Sequence, residues 1–240
     1  MARARRGKRT GECVYCGTVG VLTEDHIPPD CLFSQRPSDI LEVPSCWKCN
    51  NGASRDDEYF KTMMVMKDRA GSHPEASALH ASVFRGLKHR RKVGFTRAIL
   101  RSLTRVPVQT PAGIYLGHAT AYSVDLARLD RVVARITRGL FWHHRQRRIP
   151  SGVEVVAYSE QGMRDLSGDA AREARDVVGP VLQQPVHTIG NEVLRYRFLF
   201  ATDAEFASAW VLEFYGDVRW VAITVPDAPR DVPKQEDRLD

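Results

Sequence analysis

Apolar positions follow a helical period in the middle of this chain and a strand-like pattern at its end. Leu126, Leu129, Val133, Ile136 and Leu140 recur at helical spacing with Arg128, Arg131 and Arg135 among them, which predicts an amphipathic helix from about Asp125 to His144. Val153 to Tyr158, Leu194 to Ala201, Ala209 to Tyr215 and Val218 to Val225 are apolar runs of strand length, and Gly216-Asp217 reads as a two-residue hairpin turn. A short helix is expected over 169–178. Glu75 to Lys88 and Lys92 to Leu103 also read as helices, while Pro107, Pro111, Gly113 and Gly117 break the stretch after them and leave Gly113 to Leu116 as a strand candidate. Near the start, Val19 to Leu22 and Glu24 to Ile27 predict two short strands, ended by Pro28-Pro29 because proline cannot donate to a ladder. Pro37 to Pro44 reads as a loop over Leu32-Phe33 and Ile40-Leu41. A helix then starts near Cys46, with Ser54-Arg55-Asp56-Asp57 as a capping box that restarts it after Gly52, and Tyr59, Phe60, Met63, Met64 and Met66 on its apolar side. Asn51, Asp56 and Asp57 read as solvated polar residues of that helix.

The pattern is that of an α+β protein in four parts. Residues 1–11 are an expected flexible basic arm, 12–70 a first domain, 71–226 a mostly antiparallel α+β accessory domain, and 227–240 a disordered tail. At 240 residues and 43% hydrophobic content the chain can bury a sizeable core. No stretch approaches the roughly 18 apolar residues of a membrane helix, so a soluble, cytoplasmic protein without a membrane partner is expected.

The net charge of +6 is unevenly placed. Arg3, Arg5, Arg6, Lys8 and Arg9 crowd the first residues. Arg85, Lys88, Arg90, Arg91, Lys92, Arg97, Arg101 and Arg105 follow one another from Ala81 to Arg105 without a single acid. Such blocks attract polyanions, although basic runs also occur as plain solvated faces; Arg90, Arg91, Lys92 and Arg97 are the candidate nucleic-acid contacts. Arg138 to Arg148 mixes aromatics with cations, either as a phosphate and base-stacking surface or as a helix end whose charges complement the dipole. His143 and His144 are adjacent on a helix and point to different faces, which argues against a shared metal.

Cys13/Cys16 and Cys46/Cys49 form two Cys-x-x-Cys pairs. Two residues between cysteines let both thiolates reach one ion, and two such knuckles complete a tetrahedral zinc site of the structural type. Two disulfides or unrelated thiols are the alternatives, disfavoured because no signal peptide precedes the cysteines. Cys31 reads as a small buried hydrophobe. Between the pairs lies Glu24-Asp25-His26-Ile27-Pro28-Pro29, and the second pair runs into Asn50-Asn51.

Together Cys13-Val14-Tyr15-Cys16, Asp25-His26-Ile27-Pro28-Pro29 and Cys46-Trp47-Lys48-Cys49-Asn50 resemble the cysteine-framed form of the HNH nuclease family, over the first 60 to 70 residues. The resemblance implies a zinc-stapled ββα-metal domain. It implies that His26 is the general base taking a proton from water, a task suited to imidazoles, which as a class exchange protons near neutral pH. It further implies that Asp25 and Asn50 hold one catalytic Mg²⁺ or Mn²⁺ through hard oxygens, separate from the structural Zn²⁺. The substrate would be DNA, or RNA; one site cuts one strand, so a monomer would nick and a double-strand break would take a dimer or two events. The chain departs from the family where a middle Asn is usual: Asp39 to Ser45 contains none, and Leu41 stands about at its place, leaving Glu42, Ser45 or a backbone carbonyl to orient the base. A non-catalytic zinc-dependent nucleic-acid-binding module and a protein-interaction subunit are the competing expectations.

Overall fold

The computed structural model describes residues 9–67 and 72–226. Residues 1–8 of the expected arm and the expected tail from Asp227 lie outside the described residues, as does the proposed boundary near residue 70.

The first unit is a small sheet with a helix across it. Strands β1 (Thr10–Glu12), β2 (Val19–Ile27) and β3 (Leu41–Cys46) pair antiparallel in that order, and α1 (Trp47–Met66) leaves directly from the end of β3. Three sequence expectations are corrected here. Thr10 and Gly11 belong to β1, so the ordered chain begins before residue 12. Val19 to Ile27 is one strand, since Thr23 faces Ser45 and donates its hydroxyl to the Ser45 carbonyl at 2.9 Å. Leu41–Cys46 is a strand where a loop was expected as far as Pro44; it accepts Pro44 because it is a sheet edge, where a missing N–H breaks no ladder.

Helix α1 runs unbroken through Gly52, and Ser54 bonds back to the Asn51 carbonyl, so no capping box restarts it. A mid-helix glycine costs about 1 kcal/mol, and the buried Tyr59, Phe60, Met63, Met64 and Val65 override that amount. Phe60 reaches the C-terminal half, meeting Phe214 and Trp220 at ring-centroid distances of 5.0 and 5.7 Å.

Beyond α1 come α2 (Pro74–Leu87), started by proline at its first turn and capped by His73, then α3 (Val93–Ser102). Strands β4 (Thr104–Gln109) and β5 (Tyr115–Ala121) form a separate two-stranded ribbon, longer than the expected Gly113 to Leu116. Helix α4 (Leu126–Arg145) is the expected amphipathic helix; Asp125 caps it by accepting from the Arg128 amide, and Gln146 ends it in the left-handed region.

The last part is a five-stranded antiparallel sheet ordered β6 (Val153–Ser159), β10 (Val218–Pro226), β9 (Ser208–Phe214), β8 (Leu194–Phe200) and β7 (His187–Ile189). Helices α5 (Glu160–Arg164) and α6 (Gly168–Leu182) separate β6 from β7, α6 outrunning the expected 169–178 and packing on β8 and β9. The final hairpin turns on Tyr215 and Gly216, both with positive φ, rather than on Gly216-Asp217, and the Asp217 amide closes it on the Phe214 carbonyl.

Helix α4 ties the two ends of the chain together. On one side it packs on α1, on the other against β6 and β10. Its Gly139 admits Ile27 of β2: a Cβ there would lie 2.6 Å from the Ile27 side chain. The Tyr215 hydroxyl donates to the Leu32 carbonyl at 2.8 Å, and one hydrophobic cluster runs from Val14 and Ile27 to Trp220 and Ala222. The expected first and accessory domains therefore share a core among the described residues.

Candidate functional site

The cysteines converge as their spacing implies. Cys13 and Cys16 lie on the turn between β1 and β2, Cys46 ends β3 as the N-cap of α1, and Cys49 falls in the first turn of that helix. Their four sulfurs lie within 4.8 Å of one another, with Cys16 and Cys46 at 3.8 Å. A tetrahedron with about 2.3 Å metal–sulfur bonds has edges of about 3.8 Å, so the cluster has the dimensions of a four-thiolate site able to bind an ion such as zinc. Hydrogen bonding to Thr18, through its hydroxyl and then its backbone, holds the Cys16 thiol down at about 6, towards the thiolate a metal takes. Burial and the neighbouring sulfurs push Cys49 upward instead, a conflict among crowded thiols that a bound cation resolves by deprotonating them. Cys31 stands apart; its thiol donates to the Asp57 carbonyl and burial pushes it up to about 12. Arg148, just beyond α4, lies against Gly17 of the first knuckle and pairs with Glu12 at 2.8 Å.

Strand alternation puts His26 and Asp25 on opposite faces of β2. His26 pairs directly across the ladder with Glu42, whose Oε1 is 3.6 Å from Nε2, and Asp30 Oδ2 is 3.9 Å from Nδ1. Arg36 grips Asp30 through two hydrogen bonds of 3.0 and 2.6 Å and brings a nitrogen to 3.4 Å from His26 Nδ1. This pairing, the Arg36 hydrogen bond first, holds the Asp30 carboxyl below its ordinary value. The imidazole is 16% exposed on its side chain, reachable from solvent and flanked by a carboxylate beside each ring nitrogen. Of the residues proposed to orient it in place of a middle Asn, Glu42 is the one beside it; Ser45 is buried next to Cys13.

Asn50 projects from the first turn of α1 towards β2. Its amide nitrogen donates to Thr23 Oγ1 at 3.1 Å and to the Glu24 carbonyl at 3.0 Å, so the helix start is bonded to the strand that carries His26. Among the described residues its amide oxygen accepts no hydrogen bond.

Asp25 does not stand as an open metal ligand. Its Oδ2 accepts from the Tyr15 hydroxyl and from Arg135 Nη1 of α4, each at 2.8 Å, and its Oδ1 accepts from the His26 amide at 3.0 Å. Only 6% of the residue is exposed. Asp57, expected to be solvated, meets the other Nη of Arg135, while Asp56 pairs with Arg128 and Arg131 at 2.8 and 3.1 Å. In this arrangement the positive charge that Asp25 faces is the Arg135 guanidinium, and the Asn50 amide nitrogen is committed to Thr23 and the Glu24 carbonyl. Sequence reading missed Arg135 and Tyr15. The signal was the basic face of α4, Arg128, Arg131 and Arg135, at helical spacing opposite the acidic Asp56-Asp57.

One guanidinium shared by Asp25 and Asp57 leaves a buried negative charge. Burial, outweighing the pull of Arg135, pushes the Asp57 carboxyl up to about 6. Between that value and the unfolded carboxylate near pH 3.9 the folded state holds the extra proton, so this residue's contribution makes folding stability rise as pH falls through the window. Asp57→Asn should remove it. Half-buried His144, depressed to about 4 chiefly by desolvation, titrates in the same range with the opposite sign, so the quantity to read is the difference between wild-type and variant melting temperatures across pH 4 to 6.5. A difference that stays flat over that range contradicts the shared-arginine account.

The basic segment maps to α2, α3 and the turn between them. Arg90, Arg91 and Arg97 are exposed, whereas Lys92 is half-buried and pairs with Glu58 at 2.6 Å, which removes it from the candidate contacts as a free cation.

No protein-family model, curated protein or solved structure matches this chain. Its functional reading accordingly rests on its own residues.

Proposed function

We propose that the protein is a nucleic-acid phosphodiesterase of the HNH type, a DNA endonuclease whose base is His26, built on a zinc-stapled β2–β3–α1 unit. The observation that carries the reading is the His26 face. A part-exposed imidazole lies on a strand whose neighbour supplies Glu42, and the helix that starts at the cysteine site is bonded back to that strand through Asn50. A base oriented by a carboxylate is a recurring arrangement for activating water. Zinc would hold the first knuckle, β3 and α1 in register and supply no chemistry. Glu42, 3.6 Å from His26 Nε2, is the hard carboxylate beside the base at which a divalent ion would stabilise charge on a phosphate, whereas Asp25 is held by Tyr15 and Arg135.

The placement of Asp25 favours one competing reading, a zinc-dependent nucleic-acid-binding module without catalysis. Both readings take the same polyanion, so binding alone does not separate them; metal-dependent strand nicking does.

Non-specific affinity is assigned to the exposed cations of α3 and of the turn before it. Reversing Arg90, Arg91 and Arg97 to Glu should weaken retention of any DNA sequence and flatten the plot of log affinity against log salt. On duplex DNA the slope should fall by about 0.9 for each phosphate that the variant no longer neutralises. Filter binding between low and moderate salt reads this slope. The same slope in wild type and variant would make the segment an ordinary solvated face and leave DNA binding without its proposed surface.

A further inference from the structure

We propose that the outer face of the C-terminal sheet carries a binding site for a tetrahedral oxyanion, phosphate above all, independent of the His26 face. Glu213 stands on the central strand β9. Its register partners are Arg195 on β8 and Arg219 on β10, whose guanidinium groups reach it at 3.4 and 2.6 Å. One rung along β8, opposite Val211, is Arg197. Its Nη1 donates to the Leu182 carbonyl at the end of α6, at 2.9 Å, while its Nε is buried and has no partner. These side chains, with Leu182 and Val211, line a pocket of about 220 Å³.

Charge and size select the ligand. Three guanidinium groups against one carboxylate leave a surplus of two positive charges around the pocket, a match for a dianion. Glu160 and Asp217 also act on Arg219, but neither lines the pocket, and they pair with Arg164 and Lys67 respectively. The volume falls below the roughly 300 Å³ at which sites for larger organic ligands begin, so the occupant is a small ion or a single charged group. Guanidinium forks match the oxygens of phosphate, and forks from two strands on either side of Glu213 approach the pocket from different directions.

A purely structural role explains part of this arrangement. Arg195, Glu213 and Arg219 make a cross-strand charge ladder, and Arg197 Nη1 caps the C-terminus of α6. That role leaves the buried Arg197 Nε–H without an acceptor, a group that folded proteins nearly always satisfy. A bound oxyanion would supply that acceptor.

The test is calorimetric titration of the full chain with inorganic phosphate at fixed ionic strength, on wild type, Arg197→Gln, Arg219→Gln and Glu213→Gln, each checked for native circular dichroism. Wild type should show saturable binding that weakens roughly tenfold or more in the two arginine variants, as expected when a charge-assisted hydrogen bond is removed, and strengthens in Glu213→Gln because a competing anion is gone. Arg219 is 60% exposed on its side chain, so its variant stays informative if Arg197→Gln fails to fold. A DNA oligonucleotide added as competitor assigns the phosphate source: displacement marks a backbone phosphate, no displacement marks the free ion, and either outcome upholds an oxyanion site. No phosphate binding in wild type, or equal binding in wild type and the arginine variants, overturns the proposal.

Discussion

Cys46→Ser should strip the metal and unfold the N-terminal unit. Cys46 is at once the last residue of β3, the N-cap of α1 and a member of the four-sulfur cluster, so the bond it makes joins a strand, a helix and the Cys13–Cys16 turn. β1, β2 and β3 bury only Asp25, Ile27, Val43 and Ser45, with Cys13 and Val14 buried in the turn between β1 and β2, while Val19 and Val21 remain 77% and 53% exposed. A sheet so thinly covered would rely on an ion held by the four sulfurs, since binding in structural zinc sites is worth about 10–16 kcal/mol, more than the whole stability of many domains. Elemental analysis of wild type should return one zinc per chain. The variant should return none and lose amide protection in β1 to β3 while retaining it in β8 to β10, where Trp210, Leu212 and Phe214 are fully buried. Zinc-free wild-type protein with a protected N-terminal sheet would contradict the stapled-fold account.

His26→Ala should abolish strand cleavage and leave the fold in place. Removing a general base costs about 10²- to 10⁴-fold in rate, and the imidazole makes no buried hydrogen bond whose removal would unfold β2. Glu42→Gln should give a smaller loss if, as proposed, Glu42 beside the ring orients it and His26 takes the proton. Asp25→Ala should behave in another way. It opens a pair whose side chains are only 8% and 11% exposed and leaves Arg135 short of an acceptor, which should cost about 3–5 kcal/mol of stability. A single-turnover assay on an oligonucleotide duplex, read beside thermal melts, separates the two classes. Cleavage by His26→Ala at the wild-type rate removes His26 from the mechanism, and a fully stable Asp25→Ala removes the buried pair.

Local chemistry made much of this legible from the sequence. The cysteine cluster follows from spacing alone, because knuckle geometry is set within a few residues. The helix from Asp125 and the last strands follow from apolar periodicity, and their observed ends differ by at most one residue. What depended on distant partners was not legible. Thr23 looked like a break between two strands until Ser45 faced it across the ladder. Pro44 looked like a loop residue until β3 proved to be an edge strand. The family resemblance makes Asp25 a metal ligand, but its partners in space, Tyr15 and Arg135, the latter 110 positions away along the chain, could not be read from its sequence neighbours. Helix α4 reads correctly as amphipathic, but its polar face looks solvated in isolation; α1 turns Arg128, Arg131 and Arg135 into a clamp on Asp56 and Asp57. Glu42, which follows Leu41 in sequence, lands opposite His26 only through the ladder register.

Supercoiled plasmid incubated with zinc-loaded wild-type protein, with and without added Mg²⁺ or Mn²⁺, tests the nuclease reading most directly. The account predicts relaxed circles that appear only with the divalent ion and are lost in His26→Ala. Plasmid that stays supercoiled under every metal condition, while the protein still retains DNA in a salt-sensitive way, would contradict it and leave the binding module in its place.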